Sequence, residues 1–338
     1  MPLDRLIKSV FAITILIASF AAYAKCDFDI VQKGVNLAGA EFNDKKLPGV
    51  LNKDFVYPND AQLDYFAAAG ANAIRLPFLW QRIQPILGRP LSNSELENIK
   101  TILAKAKLRG MCVVLDVHNY GSYNGYAIGS PEVPVGAFTD LWLRLAAEFK
   151  DESVAAFGLM NEPAKLPIAL WSTIAQSTVY AIRNSGARNL ILVSGGRWSG
   201  VHEWEKPIRG ASNAQAFATF RDPLKRSYIE VHQYADVGYS GTGLSCVAAE
   251  TISAMFENIT RWAKTYNQKL FLGEFGVPAN QRCMEALDAM LAHMKQNDVW
   301  GGWTYWAAGS WWGNYPMSIE PLDGKDAPQM QLLRKYLR

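Results

Sequence analysis

The chain has 338 residues, 49% of them hydrophobic and 19% charged, with 11 Trp, 14 Tyr and 15 Phe. That balance is too apolar for disorder and specifies a globular protein with a large core. The formal charge is only +3 and no basic run occurs, which argues against nucleic acid or another polyanion as partner.

The amino terminus carries Arg5 and Lys8, then an apolar stretch from Val10 to Ala22, then Ala22-Tyr23-Ala24. This order predicts a secretory signal over residues 1–24 with cleavage after Ala24. A retained signal anchor is the alternative, but the stretch is short for a bilayer span. Removing Arg5 and Lys8 together with Asp4 takes away one positive charge and leaves +2. The remaining chain, 25–338, shows no linker, low-complexity tract or short repeat, so one domain is expected, monomeric and free of the membrane after cleavage. Its address is extracellular, or periplasmic if export stops at an outer membrane.

Along that domain, apolar or β-branched runs occur at "IVQKGVNL", "NAIRLPF", "MCVVLDVHNY", "VAAFGLMNEP", "NLILVSGG", "YIEVHQY", "KLFLGEFG" and "VWGGWTYWAAG". Helical periodicity separates them at Asp60–Ala69, Ser92–Arg109, Phe138–Phe149, Leu170–Asn184, Ala248–Tyr266 and Met284–Lys295. Continuous apolar strands alternating with amphipathic helices predict a parallel sheet covered by helices. Eight such units in about 300 residues fit the α/β class and a single (β/α)8 TIM barrel. An open doubly wound sheet is the alternative, but no Gly-x-Gly-x-x-Gly follows the first strand.

Export makes the four cysteines disulfide candidates, and four Cys allow three pairings. Cys246 and Cys283 fall in the loops expected after the sixth and seventh strands and are the preferred pair. Cys26 with Cys112 would then join two strand starts at the opposite end. No Cys-x-x-Cys or His-x-x-x-His spacing is present, so no metal site is expected.

Active sites in this fold sit at the carboxyl ends of the strands. The polar residues there are Arg75, His118, Asn161 with Glu162, His232 with Tyr234, Glu274, and Trp306. A carboxylate closing an apolar strand is costly to desolvate unless it is paired, and "GLMNEP" and "FLGEFG" both end this way. Two carboxyl groups facing one another across a cleft are what glycosidic cleavage needs, and a separation of about 5 Å makes one of them a nucleophile.

At these residues the sequence resembles the glycoside hydrolase family 5 cellulases. "NAIRLP", "LDVHNY", "LMNEP", "EVHQYAD", "GEFG" and "WTYWAAGSWWG" stand in the family's order and span nearly the whole domain. "SGTGLSC" and the tail "WWGNYPMSIEP" are similar to bacterial and fungal endoglucanases in particular. The resemblance implies a retaining endo-β-1,4-glucanase with Glu162 as general acid/base and Glu274 as nucleophile. It implies that Asn161 binds the 2-hydroxyl at the scissile subsite, and that Arg75 and Tyr234 hold Glu274 ionised. His232 would bond near Glu162, His118 would contact the sugar or the carboxylates, and Trp306 would form the floor. The chemistry requires no metal, nucleotide or organic cofactor; the partner is a β-glucan chain.

Pro163 is expected to press Glu162 into an extended backbone. Trp80, Trp198, Trp204, Trp311 and Trp312 follow strand ends and are candidate sugar-stacking platforms, with Trp311 and Trp312 favoured by the resemblance. Trp142, Trp171, Trp262 and His293 read as helix residues, and His202 as a possible cleft residue. Hydrolysis of β-mannan, xylan or mixed-linkage glucan by the same residues is the alternative activity, and a non-catalytic sugar-binding barrel is a third reading.

Overall fold

The computed structural model describes residues 26–338, so the signal predicted at 1–24 lies outside the described residues. Eight strands run parallel: β1 (Gln32–Leu37), β2 (Ala73–Phe78), β3 (Cys112–Val117), β4 (Ala155–Gly158), β5 (Ile191–Ser194), β6 (Ser227–His232), β7 (Leu270–Glu274) and β8 (Trp300–Ala308). Each pairs with its sequence neighbours and β8 returns to β1, closing the (β/α)8 barrel.

Helices follow each strand: α1 (Asp60–Ala69), α2 (Asn93–Leu108), α3 (Val135–Glu148), α4 (Ile168–Asn184), α5 (Asn213–Ala216), α6 (Ala249–Tyr266), α7 (Gln281–Lys295) and α8 (Pro328–Leu337). Local chemistry sets their ends. Asn59 and Gln62 form a reciprocal capping box at the start of α1, and Gly70 at φ 104° closes it, a conformation glycine adopts without a Cβ penalty. Two helices escaped the periodicity. α5 is a single turn, too short to show a repeat, and α8 was not read although it carries an apolar stripe of Met330, Leu332, Leu333 and Leu337 and a start signal in Pro328 at its first turn.

The strands read as continuous apolar runs because both of their faces are covered. All six residues of β3 are buried, and so are all six of β2. Outside the barrel, Trp142 and Trp171 fill the layer beneath α3 and α4, their indole N–H groups donating to the carbonyls of Leu159 and Ser194. These hydrogen bonds explain how large polar-tipped rings are buried completely.

The two ends of the barrel interior differ in chemistry. At the amino ends, Val114, Ala156, Leu192 and Phe271 meet the entering segment, where Phe28 stacks on Tyr228 at 4.8 Å. That segment is tied down by the Cys26–Cys112 disulfide, and the second disulfide joins Cys246 to Cys283. Both expected pairings are present. Cys283, expected in a loop, lies in the first turn of α7 instead, because the helix starts three residues earlier than its apolar period and is capped by Asn280. At the carboxyl ends the interior is polar, and this end opens into a cleft.

Candidate active site

The inward positions of β2, β3, β6 and β7 carry Arg75, Asp116, Glu230 and Glu274 to one level near the mouth. Arg75 is completely buried. Its Nη1 donates to Glu274 at 2.8 Å and to Asn36 at 3.0 Å, and its Nη2 donates to Asn161 at 2.8 Å. Its Nε lies 2.9 Å from Glu230, and Nη2 lies 3.2 Å from Asp116. One guanidinium therefore serves three carboxylates, a geometry that its planar fork allows and an ammonium would not.

Glu274 is held from its other side by the Tyr234 hydroxyl, which donates at 3.0 Å. Burial pushes this carboxyl up, but His232, Arg75, His118 and the Tyr234 hydroxyl outweigh it and hold the pKa below the usual range. That balance favours the ionised carboxylate.

Glu162 is governed by the opposite balance. Burial raises its pKa and the Glu274 charge raises it further, against the lowering effect of the His232 hydrogen bond. His232 Nδ1 is 2.9 Å from Glu162 Oε1. One oxygen of Glu162 and one of Glu274 lie within 4.8 Å of each other. Two carboxyl groups with pKa values driven apart at this separation have the geometry that a retaining acid–nucleophile pair requires.

The backbone at Glu162 departs from expectation. Its φ is 38°, left-handed rather than the extended conformation Pro163 was expected to impose. The reason is the turn that follows β4. Asn161 N–H is tied to the Val117 carbonyl, Tyr120 N–H returns to the Asn161 carbonyl, and Ala164 N–H closes onto Glu162 O across Pro163. These bonds force the chain to reverse at Glu162, and a strained residue held by its surroundings is common at a working site.

His118 sits beside this pair. Its Nδ1 is 2.7 Å from Asp116, which outweighs burial and raises its pKa. The Asn161 amide has its oxygen committed to Arg75, so its nitrogen faces His118 Nε2 at 3.2 Å. That contact belongs to the neutral imidazole with its proton on Nδ1; the cation, which Asp116 and Glu274 favour, would lose it. His118 stacks on Trp306 at 5.5 Å with the rings nearly parallel.

The cleft has a volume of about 1120 Å³. Its lining includes Glu41, Phe42 and Asn43 from the long β1–α1 loop, with Trp312 packed edge-on against Phe42, and Lys165, Trp198 and His202 from loops after other strands. The loop is anchored by buried Arg82, which donates to the carbonyls of Ala40, Phe42, Asn43 and Pro48.

Of the residues singled out from the sequence, His118, Glu162, His232, Tyr234, Trp306 and Trp312 line the cleft. Arg75 and Asn161 stand behind it with no exposed surface. The aromatic platforms divide. Trp198 is 47% exposed in the cleft wall, whereas Trp80 and Trp204 are buried and pack under the loops. Trp311 is exposed but does not line the cleft; its neighbour Trp312 is drawn against Phe42, Trp306 and Tyr315, leaving Trp311 outward. His202 reaches the cleft, stacked on Tyr239 at 4.5 Å. His293 stays on α7.

Four buried polar residues were missed: Asn36, Glu41, Asp116 and Glu230. The last two had a readable signal, since "DVH" and "EVH" place an acid two residues before each histidine, on the same inward strand face. Glu41 lies in irregular loop, where no period exists to flag it. Burial lifts its carboxyl to about 7 although Gly39 N–H donates to it at 2.7 Å.

The family described as Cellulase (glycosyl hydrolase family 5) matches residues 29–309. The chain belongs to this family. Its members are retaining glycoside hydrolases, and this chain is a hydrolase of that class. The family-5 barrel is similar to XacCel5A, solved with cellopentaose, at 47% identity and a TM-score of 0.88, covering 91% of this chain and 99% of that one. It is similar to the Cel5A endoglucanase of Pseudomonas stutzeri, solved with cellobiose, at 35% identity and a TM-score of 0.83, covering 91% and 92%. Endo-beta-1,4-glucanase B of Aspergillus niger is 32% identical over 307 residues, 90% of this chain and 89% of the relative.

Proposed function

We propose that this family-5 hydrolase cleaves internal β-1,4-glucosidic bonds of cellulose-type glucans, with Glu162 as general acid/base and Glu274 as nucleophile. The observation that carries the assignment is the pair of carboxyl oxygens within 4.8 Å, with opposite pKa shifts. Glu274 attacks the anomeric carbon while Glu162 gives its proton to the departing oxygen. The C–O bond to the leaving chain breaks as the bond to Glu274 forms, and the sugar is left as an ester. That ester removes the Glu274 charge, so Glu162, now ionised, takes a proton from water as the water displaces Glu274.

His232 donates to Glu162 Oε1, which leaves Oε2 to carry the transferred proton. Asn161 spends one amide hydrogen on His118, and its second is assigned to the sugar 2-hydroxyl. Trp306 and Trp312 supply apolar faces for pyranose rings. The cellopentaose and cellobiose held by the similar structures support a β-glucan occupant.

The two disulfides support an oxidising destination, in line with removal of residues 1–24 and a mature monomer of residues 25–338 outside the cell. The test is reducing-sugar release from carboxymethyl cellulose, mixed-linkage glucan, mannan and xylan, with Glu274→Gln as control. Release from the cellulose derivative that the variant loses is expected. Activity confined to mannan or xylan would overturn the substrate, and silence on all four would overturn the assignment.

A further inference from the structure

Glu230 is buried to 1% exposure and takes no part in the two-step displacement above, yet the barrel is built around it. Its Oε1 lies 2.9 Å from Arg75 Nε and 3.5 Å from His232 Nε2. Space for the carboxylate exists only because residue 273 on β7 is glycine; a Cβ there would collide with Glu230 Oε1. A buried acid that requires a glycine on the next strand costs stability twice, once in desolvation and once in the lost side chain.

We propose that Glu230 is a positioning residue of the hydrolytic reaction, holding His232 doubly protonated so that its Nδ1–H stays directed at Glu162 throughout the cycle. The proposal rests on the retaining-hydrolase reading. His232 has a carboxylate at each nitrogen, Glu162 at 2.9 Å from Nδ1 and Glu230 at 3.5 Å from Nε2, with Glu274 at 3.7 Å from Nδ1. A neutral imidazole carries one N–H and can satisfy one side; only the imidazolium donates to both. The charged groups around it are Glu162, Glu230 and Glu274, with Arg75 and Asp116 behind Glu230. Burial opposes the second proton, and the three carboxylates outweigh it and push the pKa up to about 10.

Two of those carboxylates change during turnover, and Glu230 does not. When Glu274 is esterified its charge disappears, and Glu162 has just released its proton. At that stage an unsupported His232 would pass its Nδ1 proton to Glu162 Oε1, breaking N–H and forming O–H. The base needed to activate water would then be neutralised. Glu230 prevents this by stabilising the cation from the far side. Its removal therefore slows deglycosylation and leaves glycosylation nearly untouched.

The experiment uses the mature enzyme and Glu230→Gln, which keeps the shape and removes the charge, with an aryl β-cellobioside bearing a good leaving group. For a two-step displacement kcat/KM reports the glycosylation step, so kcat and KM are expected to fall together by about tenfold with kcat/KM conserved. A burst of aryl release and a covalent adduct on Glu274 by mass spectrometry accompany the drop. A fall in kcat/KM at constant KM, or an unchanged kcat, overturns the proposal. Independent of activity and of how the variant folds, the ¹⁵N resonances of His232 in the wild type should show both nitrogens protonated from pH 5 to 8; a neutral ring at pH 7 overturns it as well. A silent wild type removes the proposal with the hydrolase reading beneath it, whereas an active wild type with a neutral His232 removes the proposal alone.

Discussion

Replacing Tyr234 with Phe removes one atom from the site, the hydroxyl that donates to Glu274 Oε2 at 3.0 Å. The ring is 8% exposed and packs against Gly241, so the fold keeps its packing and only the hydrogen bond is lost. A hydrogen bond to a charged group contributes about 1.5–3 kcal/mol. Because the bond is made to the ionised form, its loss raises the Glu274 pKa. Glu274 must be ionised to attack, so activity is present above its pKa and is lost as pH falls through it. The acid limb of the kcat/KM profile, which reports the free enzyme, therefore moves to higher pH. The assay is that profile for both proteins on a soluble β-glucan. A uniform loss at every pH with the acid limb unmoved would refute the claim that Tyr234 holds the nucleophile ionised.

Glu274→Gln is expected to abolish turnover while the variant still binds cello-oligosaccharide by calorimetry. Glu162, raised by burial, must be protonated for the first step, so the alkaline limb of kcat/KM should follow it and disappear in Glu162→Gln when a substrate needing no acid assistance is used. Trp198→Ala removes an indole that is 47% exposed; KM for long chains should rise about fivefold, the equivalent of roughly 1 kcal/mol of apolar contact, with thermal stability unchanged. The Cys26–Cys112 bond closes a loop of 86 residues, for which chain entropy predicts about 4.6 kcal/mol. Replacement of both cysteines by Ser, which leaves Cys246–Cys283 intact, should lower the unfolding midpoint in urea and raise m, because the denatured chain is released from its loop.

The barrel was legible because each strand is covered on both faces. A run such as "CVVLDV" is apolar for a reason that depends only on burial, and alternation with helices fixed the topology. The strand-end Glu, His and Tyr were legible because polar groups ending apolar runs conflict with local burial. What was harder to read were groups whose purpose is to face another residue, even where a same-face spacing such as "DVH" or "EVH" signals them. Asp116 and Glu230 sit inside strands, where an acid looks like an exception to the pattern, and only the placement of Arg75 between them explains both. The φ of Glu162 was also out of reach, since it is imposed by Val117 at the end of β3 and by Tyr120 in the loop that follows. Trp80 and Trp204 look the same as Trp198 in sequence, but burial separates them.

The contrast between the barrel's two ends follows from these demands. Arg75, Asp116, Glu230 and Glu274 are each buried, and ionised groups removed from water oppose folding even when paired. Substituting apolar residues of similar volume at the top would stabilise the barrel and destroy the pKa separation between Glu162 and Glu274. The opposing requirement is met at the other end, where no chemistry constrains the choice. There the interior is apolar, Phe28 stacks on Tyr228, and a disulfide holds the plug to β3. Loosening the plug should therefore leave the pH profile of the active enzyme unchanged while lowering its stability, because the two ends share the strands but no ionisable group.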